Sequence, residues 1–180
     1  MLQCFYPDKY IVSTYQINFD RLYEKGYRGI IFDIDNTLVE HGAPADERSI
    51  ALFRHLKELG FRIMLLSNNK EPRVKMFNDA VQVQYLFKAG KPGKAGYEQA
   101  MKKLGCNTEN TLFVGDQLFT DVWGARRCGI YSILVQPIAK HEEIQIVLKR
   151  YLEKIVLASY KRTCRKQGRI FLYKEDKDAD

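Results

Sequence analysis

Asp33 and Asp35 close the run Gly29-Ile30-Ile31-Phe32, two carboxylates two residues apart at the end of an apolar stretch. A short apolar run that stops in turn-forming residues is the pattern of a fully buried strand. Side chains alternate along an extended chain, so the two acids share a face as long as the strand continues through them. The carboxyl end of a parallel strand is where α/β proteins bind ligands. Two acids held that close repel each other, and a divalent cation relieves the repulsion. The same stretch, with Asp35-Asn36-Thr37 as a turn, also serves simply to cap a strand.

Three further turns downstream decide between those uses. Ser67-Asn68-Asn69 ends an apolar run at 61–66, the basic, glycine-rich segment 88–94 follows a strand at 83–87, and Gly115-Asp116 ends a run at 111–114 with Asp121 shortly after. Each has a plain structural use: Ser67 as a turn residue, Lys91 as a surface lysine, Asp121 as a helix cap. Together, four turns in chain order supply groups suited to one phosphate and one metal.

The elements that must position these turns alternate along the chain. Asp46 caps a helix in which Leu52, Phe53, Leu56 and Leu59 recur at helical spacing until Gly60. Pro72 suits the first turn of a helix carrying Val74, Met76 and Phe77. Tyr97, Ala100, Met101 and Leu104 form another helical face, stopped by Gly105, and Asp121 begins a helix that runs through Trp123 toward Gly129. A last strand at 130–135 is closed by Pro137. Alternation of this kind implies a largely parallel, three-layer α/β domain with right-handed crossovers. Ahead of it, residues 7–27 are a tyrosine-rich lead-in without clear period, in which Asn18 or Asp20 caps a short helix before Gly26. The reading is a core at 1–139 and a basic helix and tail at 140–180.

The composition is that of a globular protein, 46% hydrophobic and 28% charged. No apolar run reaches the length of a membrane span, the N-terminus lacks the pattern of a secretory signal, and the four cysteines are scattered without metal-type spacing. The expectation is a cytoplasmic protein with reduced thiols, peripheral at a membrane if anywhere near one. The net charge of +7 is uneven: residues 140–169 hold nine lysines and arginines against three acids. That excess fits an anionic partner, either nucleic acid or a membrane surface, and equally a solvated helix face. Residues 141–162 read as one long helix whose apolar face is Ile144, Leu148, Tyr151, Leu152 and Ile155. That face either packs on the domain or lies on a membrane.

Over about residues 10–137 the chain resembles phosphatases of the haloacid dehalogenase (HAD) superfamily. It is most similar to the IIIA-type, YqeG-like group, which includes mitochondrial phosphatidylglycerophosphate phosphatases. Asp33-Ile-Asp-Asn-Thr-Leu-Val matches the first superfamily motif, Leu65-Leu66-Ser67-Asn68-Asn69 the second, Lys91-Pro92 the third, and Gly115-Asp116 through Asp121 the fourth. Lys88 and Lys94 compete with Lys91 for the third; the Lys-Pro pair favours Lys91. The resemblance implies a magnesium-dependent phosphatase with Asp33 as nucleophile and Asp35 as general acid and base. It further implies Ser67 and Lys91 on the phosphate. The metal would be held by Asp33, the Asp35 main-chain carbonyl and Asp116, with Asp121 in support directly or through water. Asp35 argues for phosphate over carbon–halogen chemistry, because the dehalogenases lack the second acid. The spacings from Asp33 to Ser67 and from Ser67 to Lys91 leave no room for a cap domain. An open site suits a macromolecular or lipid head-group substrate, phosphatidylglycerophosphate among them. The competing expectation is a non-catalytic module of the same fold that contacts RNA or a ribosome through the basic tail.

Overall fold

The computed structural model describes residues 2–139 and 144–175, with side chains from residue 151 onward in the second span. In chain order the elements are β1 (Lys9–Ile11), α1 (Phe19–Glu24), β2 (Gly29–Phe32), α2 (Glu47–Leu59), β3 (Arg62–Leu66), α3 (Glu71–Val81), β4 (Gln84–Leu86), α4 (Lys94–Leu104), β5 (Thr111–Gly115), α5 (Trp123–Arg127), β6 (Tyr131–Val135) and α6 (Ile144–Lys166). A π-helical turn, Leu118–Val122, leads into α5.

The six strands form one sheet in the order β1-β6-β5-β2-β3-β4, and every pairing is parallel. From β2 the chain builds outward through β3 to β4, then crosses back to β5 on the other side. The direction of winding therefore reverses between β2 and β5, and the crevice outside the carboxyl ends of those two strands is where such sheets bind ligands. Phe32 pairs with both Leu65 and Val114. The residues that follow β2, β3 and β5 therefore emerge along one edge.

Alternation along the strands divides the core into two layers. Ile30, Phe32, Ile63, Leu65, Leu112 and Val114 face Phe19, Phe53, Leu56, Val74 and Phe77 from α1, α2 and α3. Ile31, Met64, Leu66 and Phe113 face Tyr97, Ala100, Met101 and Leu104 of α4 and Ala125 of α5. Each large apolar side chain so buried contributes about 1.5–3 kcal/mol. Asp46 caps α2 in a reciprocal box with Ser49, and Gly60 ends it at φ +96°. A left-handed residue there costs glycine little and other residues more.

Three expectations are corrected. The lead-in is not irregular throughout: Lys9–Ile11 is an edge strand on β6, and Tyr173 from the tail pairs alongside Ile11. The fourth-motif helix begins three residues before Asp121, as the π-helical turn, so Asp121 lies inside a helical segment rather than capping it. On α6, Tyr151, Leu152 and Ile155 are 63%, 53% and 62% exposed. The helix docks through the opposite face, with Val156, Tyr160 and Cys164 against Tyr6, Tyr10, Leu118, Val122 and Leu134. Residues 140–143, and the side chains of Ile144 and Leu148, lie outside the described residues. The described cysteines are all free.

Candidate active site

Lys91 is the centre of the site. Its Nζ donates to Asp33 Oδ1 at 2.6 Å and to Asp121 Oδ1 at 2.7 Å, and its side chain is 3% exposed. The backbone before α4 is set by a reciprocal pair: Lys91 N donates to Asn68 Oδ1 at 2.8 Å, and Asn68 Nδ2 donates to the Lys91 carbonyl at 3.0 Å. The second-motif turn thus places the third-motif lysine. Lys88 and Lys94 are exposed, so the geometry singles out Lys91 among the three.

Asp33, at the end of β2, and Asp116, just past β5, flank the reversal in winding. Thr37 bridges them, with Oγ1 3.4 Å from Asp33 Oδ2 and 3.2 Å from Asp116 Oδ1. Asp33, Asp116 and Asp121 each present a carboxylate oxygen within 4.8 Å of the others, and all three residues are buried. Asp121 Oδ2 accepts the Gln117 N–H at 3.1 Å. Tyr97, beneath, donates its hydroxyl to the Thr120 carbonyl at 2.8 Å. Burial holds the Tyr97 hydroxyl well above its usual range, so it remains a donor.

Electrostatically, Asp33 and Asp121 share the Lys91 ammonium, with the Asp116 carboxylate close beside them. Burial pushes the Asp33 carboxyl up to about 7, while Lys91 pulls it down and Asp121 pushes it further up. Burial also works against the charge on Lys91, but Asp121 and Asp33 outweigh it and raise the ammonium above its ordinary value. These opposing trends across one short contact mean that Lys91 stays charged while the acids compete for it. The cluster brings three carboxylates together around one lysine. Its donors are carboxylate oxygens, the ligands that hard divalent cations such as magnesium prefer, so the residues fit the metal the resemblance implies.

Asp35 stands apart from this cluster in its contacts. Its carboxylate accepts from the Gly42 N–H at 2.7 Å, from Asn69 Nδ2 at 2.7 Å, and from Arg73 Nε and an Nη at 3.1 and 2.9 Å. The two first-motif acids are therefore held by different partners. Ser67 is buried at the end of β3, its Oγ accepting the Asn69 N–H at 3.1 Å. Arg73 escaped the sequence reading, and Thr37, Asn68 and Asn69 entered it as members of the motifs without a role of their own. A signal existed for Arg73, a cation in the first turn of α3 directly after the second motif.

Gly115 lets the fourth motif close on itself. A Cβ there would lie 2.6 Å from Asp121 Oδ2, nearer than real Cβ contacts allow. Gly115→Ala should push Asp121 off Lys91 and lower kcat/KM about 100-fold, as ångström-scale misplacement of catalytic groups does. Steady-state kinetics beside thermal melting will check this.

A parallel sheet that brings two acids, a serine, a lysine and a second acidic pair to one edge defines a hydrolase of the HAD class. The HAD-hydrolase-like family model matches residues 88–145. The probable phosphatase YqeG of Bacillus subtilis is 36% identical over 159 residues, spanning 88% of this chain and 92% of that protein. The chain belongs to the YqeG family of HAD-like phosphatases, and it is a phosphoric monoester hydrolase. The phosphatidylglycerophosphate phosphatase 1 of Arabidopsis thaliana is 29% identical, over 83% of this chain and 45% of that protein. The cobalt-bound form of the deoxy-D-mannose-octulosonate 8-phosphate phosphatase from Haemophilus influenzae shares the fold with a TM-score of 0.51 at 14% identity, covering 74% of this chain and 89% of that one.

Proposed function

We propose that this phosphatase works through an aspartyl-phosphate on Asp33, with magnesium as its cofactor. The observation that carries the reading is Lys91, buried between Asp33 and Asp121 in a cluster otherwise made of acids. Asp33 attacks phosphorus and the bond to the leaving oxygen breaks, with Asp35 delivering a proton to that oxygen. Asp35 then takes a proton from water as the water attacks phosphorus, which frees Asp33 and releases phosphate. Lys91 and the Ser67 hydroxyl stabilise the charge on the transferring phosphoryl group. Magnesium, held by Asp33, Asp116 and the Asp35 carbonyl with Asp121 in support, would offset the repulsion between Asp33 and the incoming phosphate. Arg73 and Asn69 hold the Asp35 carboxylate in place beside the cluster.

Purified protein should hydrolyse p-nitrophenyl phosphate in the presence of Mg2+. Chelation by EDTA should reduce the rate at least about 100-fold, the scale of losing a charge-stabilising group, and added Mg2+ should restore it. A rate unchanged in chelator would overturn the metal reading.

The finer proposal is a lipid head-group substrate, phosphatidylglycerophosphate, met at an anionic membrane. Short connections around the site supply no cap, and Tyr151, Leu152 and Ile155 stand exposed beside Lys154 and Arg162 on α6. No helix among the described residues is long and apolar enough to cross a membrane, so contact would be peripheral. Replacing all three apolar residues with serine should weaken co-sedimentation with anionic vesicles at least about tenfold, from the lost apolar transfer. Equal sedimentation of the wild type with neutral and anionic vesicles would count against this surface.

A further inference from the structure

The inner face of α6 carries one buried acid among apolar neighbours. Glu153 is 5% exposed, and its Oε1 accepts the Leu118 N–H at 2.7 Å. Leu118 opens the π-helical turn that carries Asp121, and Gln117 before it provides no side-chain cap. The first N–H groups of a helical segment lack partners within it and favour negative charge. Here two carboxylates take consecutive ones: Asp121 takes that of Gln117 and Glu153 takes that of Leu118. Glu153 also lines, with Asp116, Tyr10, Leu134 and Leu157, a cleft of about 150 Å³. An apolar side chain would serve the packing of α6 beside Val156 and Tyr160 equally well. A carboxylate buried there is costly unless it is hydrogen-bonded, and one bond it makes is to the loop that delivers both fourth-motif acids.

We propose that Glu153 is a positioning residue for the metal site, fixing the loop from Gly115 to Asp121 so that the seat of α6 sets the affinity for the divalent cation. This rests on the magnesium reading above. The test is calorimetric titration of Mg2+ into the full chain, beside the Mg2+ dependence of kcat. Glu153→Met keeps the length and packing but loses the acceptor, and should weaken Mg2+ binding about 10–100-fold, the usual effect of disturbing groups that orient metal ligands. Glu153→Gln keeps an acceptor oxygen and should stay within about threefold of wild type by the same comparison. Tyr160→Leu loosens the same helix face where it stacks on Tyr6 and Phe171, and should leave Mg2+ affinity unchanged. Glu153→Met binding Mg2+ like the wild type would overturn the proposal. So would Tyr160→Leu weakening binding as much as Glu153→Met. Absence of Mg2+ binding by the wild type would instead remove the magnesium reading itself.

Discussion

Asp33→Asn is expected to lower kcat by about 10⁴-fold or more, the scale seen when a nucleophile is removed from a group that acts as a unit. The variant separates chemistry from folding cleanly. Asparagine has the shape of aspartate and keeps an acceptor for the Lys91 Nζ, now 2.6 Å from Oδ1. Lys91 also retains Asp121 at 2.7 Å. Burial has already pushed the Asp33 carboxyl up to about 7, so its charged form is disfavoured in the folded chain. A carboxyl raised above its unfolded value binds its proton more tightly when folded. The stability tied to that proton is lost as pH rises from about 4 to about 7. The amide of the variant does not titrate and has no such loss. In metal-free buffer, the melting temperature of the variant relative to wild type should therefore rise across that window and level off above it. Residual turnover near the wild-type rate would rule out Asp33 as the attacking group.

Much of this site is readable in the chain because its chemistry resides at turns that directly follow apolar strands. Ile30-Ile31-Phe32 and Leu112-Phe113-Val114 are buried on both faces, so they stand out as continuous apolar runs, and the acids after them are marked by position alone. β1 escapes that reading because Lys9-Tyr10-Ile11 is three residues long at a sheet edge, and Lys9 fits there by laying its Nζ over the Tyr173 ring. The inner face of α6 escapes for a related reason. Glu153 is buried but does not look apolar, whereas Tyr151, Leu152 and Ile155 do and face outward. Helical periodicity finds an apolar stripe; it does not say which stripe the core selects. Arg73 and Glu153 could not be paired with Asp35 and Leu118 by local spacing, since 38 and 35 residues separate the partners.

Lys91→Met should damage stability and rate together, and the two losses should respond differently to magnesium. Removing one partner from a buried ion cluster costs about 3–5 kcal/mol, because the remaining charges are left uncompensated. For a chain of this size that is a fall of about 10 °C in melting temperature. The uncompensated groups are acids, and without the ammonium to pull it down the Asp33 carboxyl moves further above its ordinary range. Protonation then relieves the strain, so the deficit against wild type should be smaller near pH 5 than near pH 8. Mg2+ supplies charge to the same carboxylates and should raise the melting temperature of the variant more than that of the wild type. Turnover is a separate matter. The ammonium is a fixed donor at the place where the phosphoryl oxygens gather charge, and its loss should cost about 10²–10³-fold in kcat. A cation seated among the acids does not stand where that donor stood, so saturating Mg2+ should restore the fold and leave the rate low. Full recovery of turnover with Mg2+ would reduce Lys91 to a counter-ion for its neighbours.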